Sequence, residues 1–387
     1  MLEMMNLGSG ASEDSEGIIK KFGVGAAGFV ALTKTGNLYG LGAPQFSGTG
    51  ANSTIWNLLG SNITDVWVSY QSVLVRDQGG RWLLQGVNNY FPTSLGSDLP
   101  TLTDVSSYFS VVNGKVIKSV SLGFRSLAIV FQDGSYAMCG FNGNGGLGLG
   151  NSIAQRDGPV LRTDFTNVKK IEFDWVNLDT SYMLLEDGNI YVAGSSSYGQ
   201  AGVTTGNVTT WREQTFLEGT VDISAATNGY FRIVEDDSSY KIYAQGRQVN
   251  GSLGTATTST TVYTLPKVLL SIPDKSRGIP TVYVGNTSAR FNHPEGKVYF
   301  TGTGTGDLQG TNVVNQPTYY SFVPLSGGNT AYGAEFFALR GYYTGAYALK
   351  GGVLYGVGQS ANTQGYLPGS NGAAWRVFTE LNINTLV

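Results

Sequence analysis

The chain contains one cysteine and one histidine in 387 residues. With a single copy of each, there is no material for an intramolecular disulfide framework, a Cys/His metal centre or a thiol–imidazole pair. Cys139 lies in an apolar run that reads as a strand, where a buried, unreactive thiol is expected. His293 precedes Pro294 and reads as a surface turn residue. Charge is also scarce: Asp, Glu, Lys and Arg make up 13% of the chain and the net charge is −3. No Lys/Arg run exceeds the pairs Lys20-Lys21 and Lys169-Lys170. Phosphate-backbone binding depends on clustered positive charge, so nucleic acid is not an expected partner. No apolar run approaches the ~18 residues of a membrane span. The first residues, "MLEMMNLGSGASEDSEG", have neither a basic n-region nor an apolar h-region, and 1–17 read as a short, acidic, flexible tail. Only 11 prolines occur and there is no Gly-X-Y period, which removes the collagen alternative.

Glycine is abundant, at 55 residues, and hydrophobic residues reach 41%, enough for a core. Together with frequent Ser, Thr, Asn and Tyr, this composition favours strands and turns over helices. A short pattern recurs: "LYGLG" ending at Gly42, "WLLQG" at Gly86, "YAMCG" at Gly140, "IYVAG" at Gly194, "IYAQG" at Gly246, "VYFTG" at Gly302 and "LYGVG" at Gly358. The intervals are 44, 54, 54, 52, 56 and 56 residues. Six residues before these glycines stands another: Gly36, Gly80, Gly134, Gly188, Gly296 and Gly352, with Tyr240 in the fifth copy. An apolar run precedes most of these turns, as in "FVAL" (29–32), "SVLV" (72–75) and "LAIV" (127–130). Each copy therefore contains a β-hairpin with a turn of fixed length. The sixth copy, "SARFNHPEG" (288–296), is irregular.

One more strand-like run lies upstream of each hairpin, as in "KSVSLG" (118–123) and "KKIEFD" (169–174). A weaker one lies upstream again, as in "GPVLRTDF" (158–165) and "REQTFLEG" (212–219). About four strands per roughly 50 residues is the arithmetic of a propeller blade. The expected fold is all-β: a single seven-bladed β-propeller over 18–387, with about four antiparallel strands per blade. The C-terminal "WRVFTELNIN" (375–384) lacks a hairpin of its own. It is expected to pair into the N-terminal blade and close the ring, removing a sheet edge.

The repeat resembles that of the regulator of chromosome condensation family, a seven-bladed propeller whose repeat runs "L-x-x-D-G-x-v-y-x-w-G-x-n-x-y-G-Q-L-G". Blade four reads "LLEDGNIYVAGSSSYGQAG" (184–202), blade three "VFQDGSYAMCGFNGNGGLGLG" (130–150), and blade five keeps "GRQVNGSLG" (246–254). The resemblance spans essentially 18–387 and implies the architecture. The family's His before the hairpin is missing from every blade, as is the basic tail of a chromatin-binding member. No local sequence matches the nucleotide-exchange wedge, so that activity is not carried over.

Two glycine-rich stretches, "GTGTGDLQG" (302–310) and "GNGGLGLG" (143–150), look like phosphate loops, but no helix-forming segment follows either one. Both fall in the repeat's own loop. Acidic residues gather at Asp164, Glu172, Asp174, Asp179, Glu186 and Asp187, and strand alternation puts Glu172 and Asp174 on one face. Calcium or glycosidase chemistry would require such carboxylates to converge; turn and rim solvation is the simpler reading. No cofactor or metal is expected.

Aromatic residues give the better indication of a partner. The turn before the hairpin's first strand contains Tyr70, Phe124, Tyr230, or Tyr342 and Tyr343. Such turns project onto one face, where they form a candidate binding surface or else pack between blades. The long connection 87–115, with Tyr90, Phe91, Tyr108 and Phe109, is a second candidate, because extra loop length is often functional. The composition, single cysteine and leader-free start suggest a non-enzymatic virion protein. It would be a bacteriophage tail, fibre or capsid-surface component, touching other virion proteins and a host receptor or glycan. A secreted inhibitor-type propeller, like the one that binds β-lactamase, is the alternative; a glycan-active enzyme or guanine nucleotide exchange factor ranks below both.

Overall fold

The computed structural model describes residues 18–26, 28–174, 179–204, 206–257, 260–273, 275–276, 278–284, 288–293, 297–302, 319–324, 335–338, 345–358 and 375–380. Among these residues the chain forms seven four-stranded sheets, each made of four strands consecutive in sequence. In the fourth sheet, Val168–Phe173, Ser181–Leu185, Ile190–Ser195 and Asn207–Glu213 lie side by side in that order, each antiparallel to the next. The first strands of the sheets are Ile19–Val24, Ile63–Val68, Ile117–Leu122, Val168–Phe173, Thr220–Ala226, Tyr283–Val284 and Glu335–Ala338. Each packs against the next, and the seventh packs against the first. The sheets thus stand around one axis as the blades of a β-propeller.

Burial follows from this packing. A second strand is covered on both faces by neighbouring sheets, and Gly28–Thr33, Ser126–Phe131 and Ser181–Leu185 are buried at every residue. Fourth strands stand at the rim, and Asp98–Asp104 and Asn207–Glu213 are largely exposed or half-buried. The irregular sixth copy still makes its hairpin, Ser288–His293 against Lys297–Gly302. His293 therefore ends a strand, where a turn was expected. In the fifth copy, which has Tyr240 in place of the turn glycine, the Asp236 carboxylate caps the turn, accepting from Ser238 N–H at 3.0 Å and Ser239 N–H at 2.7 Å. Cys139 is fully buried, and desolvation pushes its thiol pKa up, as befits an inert core residue.

The strand-ending glycines have a steric cause. Gly194 adopts φ +116°, and a β-carbon there would stand 2.2 Å from the Asp179 carbonyl oxygen. The residue before such a glycine latches one blade to the preceding one wherever it is polar. Gln85 donates to Gln45 O at 3.1 Å, Gln245 to Gln200 O at 3.1 Å, and Thr301 to Gly251 O at 2.8 Å. The two Lys pairs act alike on the first strands. Lys20 and Lys21 reach Thr64 O and Asp65 at 2.9 and 2.7 Å, and Lys169 and Lys170 reach Val221 O and Asp222 at 2.7 and 2.8 Å.

Two expectations are corrected. The weak upstream runs complete the preceding sheet: Gln155–Arg162 is the fourth strand of the third sheet and Asn207–Glu213 of the fourth. The C-terminal strand likewise does not pair into the N-terminal blade. Trp375–Glu380 pairs with Val353–Gly358 in the seventh sheet, because the first sheet's rim position is already occupied by Ser53–Gly60. The ring closes by packing instead. Phe22 and Phe29 meet Tyr347 at ring-centroid distances of 5.7 and 4.8 Å, and Ile19 N–H donates to Gly352 O at 3.2 Å. Residues 1–17, expected as a tail, lie outside the described residues.

Candidate binding face

In an up-and-down sheet the turns joining strands one to two and three to four emerge at one end, and the hairpin turns joining two to three at the other. Four ion pairs form at the hairpin end among the described residues. Arg81 pairs with Asp77 at 2.8 Å, Lys115 with Asp133 at 2.7 Å, Lys241 with Asp236 at 2.7 Å, and Lys118 with Glu186.

The other end carries the aromatic turns. Tyr70 and Phe124 come from consecutive blades and meet edge-to-face, their centroids 5.1 Å apart and both rings half-buried. Next to them the Arg125 guanidinium lies 4.1 Å over the Phe141 ring and grips Asp179 with two bonds, Nε–Oδ1 at 2.9 Å and Nη2–Oδ2 at 2.7 Å. Asn144 also donates to Asp179 Oδ2, at 3.3 Å, and receives Asn207 Nδ2 at 3.2 Å. Burial pushes the Asp179 carboxyl upward, against the pull of Arg125. Asp179 adopts φ +49°, a left-handed conformation that a non-glycine residue keeps only where its surroundings hold it. Farther round the face, Arg247 stacks over Tyr198 at 4.5 Å.

The long connection supports this face from below. The Tyr90 hydroxyl lies 2.9 Å from Ser69 Oγ and donates at 2.8 Å to Gly123 O, and so ties together the turns that carry Tyr70 and Phe124. Asn89 Nδ2 donates to Phe124 O at 3.3 Å. Of the four residues of the candidate binding loop, Tyr90, Phe91 and Phe109 are buried, so their side chains are not presented at the surface. Phe109 stacks on Trp82 at 4.3 Å, and half-buried Tyr108 stacks on Phe91 at 5.0 Å. The extra length folds onto the second and third blades because its aromatics contribute more by filling their seam than by facing water.

Tyr230 is also removed from the surface. It is 1% exposed, packs on Tyr182 of the fourth blade at 5.0 Å, and bonds Gln245 and Arg232 at 3.0 and 3.1 Å. Tyr342 and Tyr343 lie outside the described residues. Of the five face candidates, Tyr70 and Phe124 are brought together. Arg125 and Asp179 were not foreseen as partners, since nothing local in the sequence joins residues 54 positions apart.

The stretch 143–150 is a self-bonded loop: Asn142 Oδ1 accepts from Leu147 N–H at 2.8 Å, and Asn142 O from Gly145 N–H at 2.8 Å. Its amides donate within the loop or, at Gly150, to Thr209 O at 2.8 Å, with no helix behind them. Residues 303–310 lie outside the described residues. The carboxylates are dispersed by partners: Asp164 accepts from Tyr136 Oη at 2.8 Å, Glu186 pairs with Lys118, and Asp187 accepts from Asn189 N–H at 3.0 Å. Among the described residues, no group of three or more His, Cys, Asp or Glu is placed to hold a metal. No helix among them is long and apolar enough to cross a membrane.

No family model matches the chain. Solved structures do share its fold. Yeast RCC1 (Prp20), determined with Kap60, is 15% identical with a TM-score of 0.71, covering 97% of this chain and 89% of its own. Prp20p from Saccharomyces cerevisiae, reported with its binding to Gsp1p and histones, gives 15% identity and a TM-score of 0.66 over 84% of this chain and 80% of its own. Human WBSCR16 is 16% identical with a TM-score of 0.65, covering 86% and 85%. At these identities the likeness is one of architecture: an all-β propeller of the RCC1 type with four-stranded antiparallel blades.

Proposed function

We propose that this propeller is a non-catalytic protein-binding module that engages its partner through the end carrying Tyr70, Phe124 and Arg125. The observation that carries the reading is the Tyr70–Phe124–Arg125–Asp179 cluster. Two rings from separate blades and a guanidinium, each fixed by partners beneath it, present a preorganised mixed aromatic and charged surface. Rigid aromatic and Arg anchors of this kind lose little entropy on binding and dominate interface energetics. Among the described residues, the hairpin end forms the four ion pairs given above and offers no comparable cluster. Prp20p, similar in fold, is reported to bind the proteins Gsp1p and histones, which agrees with a protein partner for this chain.

The sequence expectation of a virion component rests on composition, the single cysteine and the character of the first residues. The reading adopted is protein binding, which does not depend on that setting.

The test is comparative capture. Immobilised wild-type protein, Tyr70→Ala/Phe124→Ala, and Lys241→Ala from the hairpin end are offered the same lysate of the source organism, after matched folding by circular dichroism. A partner retained by wild type and Lys241→Ala and lost by the double variant supports the reading. A partner retained equally by all three, or lost only with Lys241→Ala, overturns it.

A further inference from the structure

The fourth blade departs from its neighbours at one seam. A backbone hydrogen bond closes the turn after the first strand in each of the first four blades. The pairs are Gly25 N to Gly28 O, Ser69 N to Ser72 O, Gly123 N to Ser126 O, and Asp174 N to Thr180 O. Asp174 thus stands where the other three blades have Gly25, Ser69 and Gly123. Two residues beyond each acceptor are Val30, Leu74, Ala128 and Tyr182. At two cross-strand neighbouring positions, then, three blades use small or apolar residues, and the fourth buries a carboxyl and a phenol.

Neither polar group is fully satisfied. Asp174 is 2% exposed; Thr180 bonds its carboxyl, yet Oδ2 has no hydrogen-bond partner. Tyr182 is fully buried and its Oη has none either. Glu172 pairs with Tyr182 in the strand register, so alternation puts Glu172, Asp174 and Tyr182 on the same side of the sheet. That side faces the fifth blade: Glu172 Oε2 accepts from Ala225 N–H at 2.6 Å, and the Tyr182 ring lies 5.0 Å from that of Tyr230.

Among the described residues, the neighbouring cations are already engaged by other groups. Lys170 Nζ is used by Glu172 and Asp222, each at 2.8 Å, and Arg125 grips Asp179 with two bonds. Arg232 donates to Thr215 O at 2.7 Å and Tyr230 Oη at 3.1 Å. Among the described residues, three cationic side chains (Arg125, Lys170, Arg232) thus stand with four carboxylates (Glu172, Asp174, Asp179, Asp222). A buried ion is retained only with a compensating partner, and an unsatisfied buried polar atom is costly.

We propose that Asp174 Oδ2 and Tyr182 Oη hold a small monovalent cation, of potassium or ammonium size, in the seam between the fourth and fifth blades. One positive charge would offset the fourth carboxylate of the described residues and give the two orphaned oxygens a partner. A divalent ion would demand more negative charge than the single free carboxylate oxygen here supplies.

The test is thermal unfolding in potassium, ammonium and choline chloride at equal ionic strength, with a crystal soaked in rubidium chloride. Potassium and ammonium should raise Tm saturably by about 2 °C over choline. The rise should vanish in Asp174→Asn and shrink in Tyr182→Phe, and rubidium should give an anomalous peak between the two oxygens. Identical melting in the three salts, an equal rise in Asp174→Asn, or a soaked crystal without that peak would overturn the assignment. Should Asp174→Asn fail to fold, Tyr182→Phe decides: an undiminished potassium response in that variant contradicts the site.

Discussion

The Tyr90 hydroxyl donates at 2.8 Å to the Gly123 carbonyl, and in doing so joins a loop leaving the second blade to the first turn of the third. Because the same oxygen also contacts Ser69 Oγ, one buried phenol fixes the spacing between the turns bearing Tyr70 and Phe124. The binding surface and the long loop are therefore one construction, with the loop as its support. Burial pushes the Tyr90 phenol pKa up, so it keeps its proton and remains a donor throughout the physiological range.

Replacing Tyr90 with Phe keeps the ring and removes the tie. The buried Gly123 carbonyl loses a donor, a change of about 1–3 kcal/mol. Urea unfolding should show a lower midpoint with an unchanged slope, and partner affinity should fall although no surface atom is altered. Unchanged stability would show that the hydroxyl does not hold the turns.

Gly194→Ala and Gly50→Ala separate strain from collision. Both glycines have positive φ, +116° and +74°, but a β-carbon meets the Asp179 carbonyl at 2.2 Å in the first case and nothing within 4 Å in the second. Gly50→Ala should cost about 1 kcal/mol, and Gly194→Ala clearly more, because the first-turn backbone of its own blade must shift. Equal losses in chemical denaturation would contradict the steric account.

Lys21 and Lys170 occupy the same register in blades one and four, but their environments differ. The Asp65 side chain opposite Lys21 is 45% exposed, whereas Glu172 and Asp222 around Lys170 are 15% and 13% exposed. Lys170→Met strands two buried carboxylates and should destabilise by about 3–5 kcal/mol. Lys21→Met leaves a carboxylate that water can reach and should cost about 1 kcal/mol or less. Paired denaturation curves check the ranking.

Asp174 also predicts a pH signature. Burial first, and the neighbouring Asp179 charge second, raise its pKa well above the ordinary carboxylate value. A raised folded-state pKa gives stability that is complete below the unfolded-state value and is lost as pH rises through the folded-state one. In choline buffer, wild type should therefore lose stability relative to Asp174→Asn as pH is raised from acid toward neutral. Parallel pH profiles for the two proteins would contradict this.

The hairpins were legible in the sequence because their turns and exits need glycine for backbone geometry, and such a requirement repeats visibly. The phase of the fourth strands was not. Rim strands expose residues such as Ile55, Leu58, Val160 and Leu161, so no buried face writes a periodic pattern into them. Tyr70 and Phe124 were readable as turn aromatics, whereas Tyr230, read as a third, lies in the second strand of its blade, Gly229–Glu235, where it bonds Arg232 and Gln245. Loop length marked 87–115 as unusual, but the same length serves a loop folded onto the core or one reaching outward. The Arg125–Asp179 grip depends on blades coming together in space, which no local pattern encodes.

The most direct measurement is site-specific photo-cross-linking in cells of the source organism, with p-benzoylphenylalanine in place of Tyr70 or, as control, Lys241. Residue 70 should yield a discrete adduct with another protein that disappears when Phe124 and Arg125 are changed to Ala, and residue 241 should yield none. An adduct from 241 alone, or one from 70 that survives those changes, would contradict the assignment of this end as the binding face.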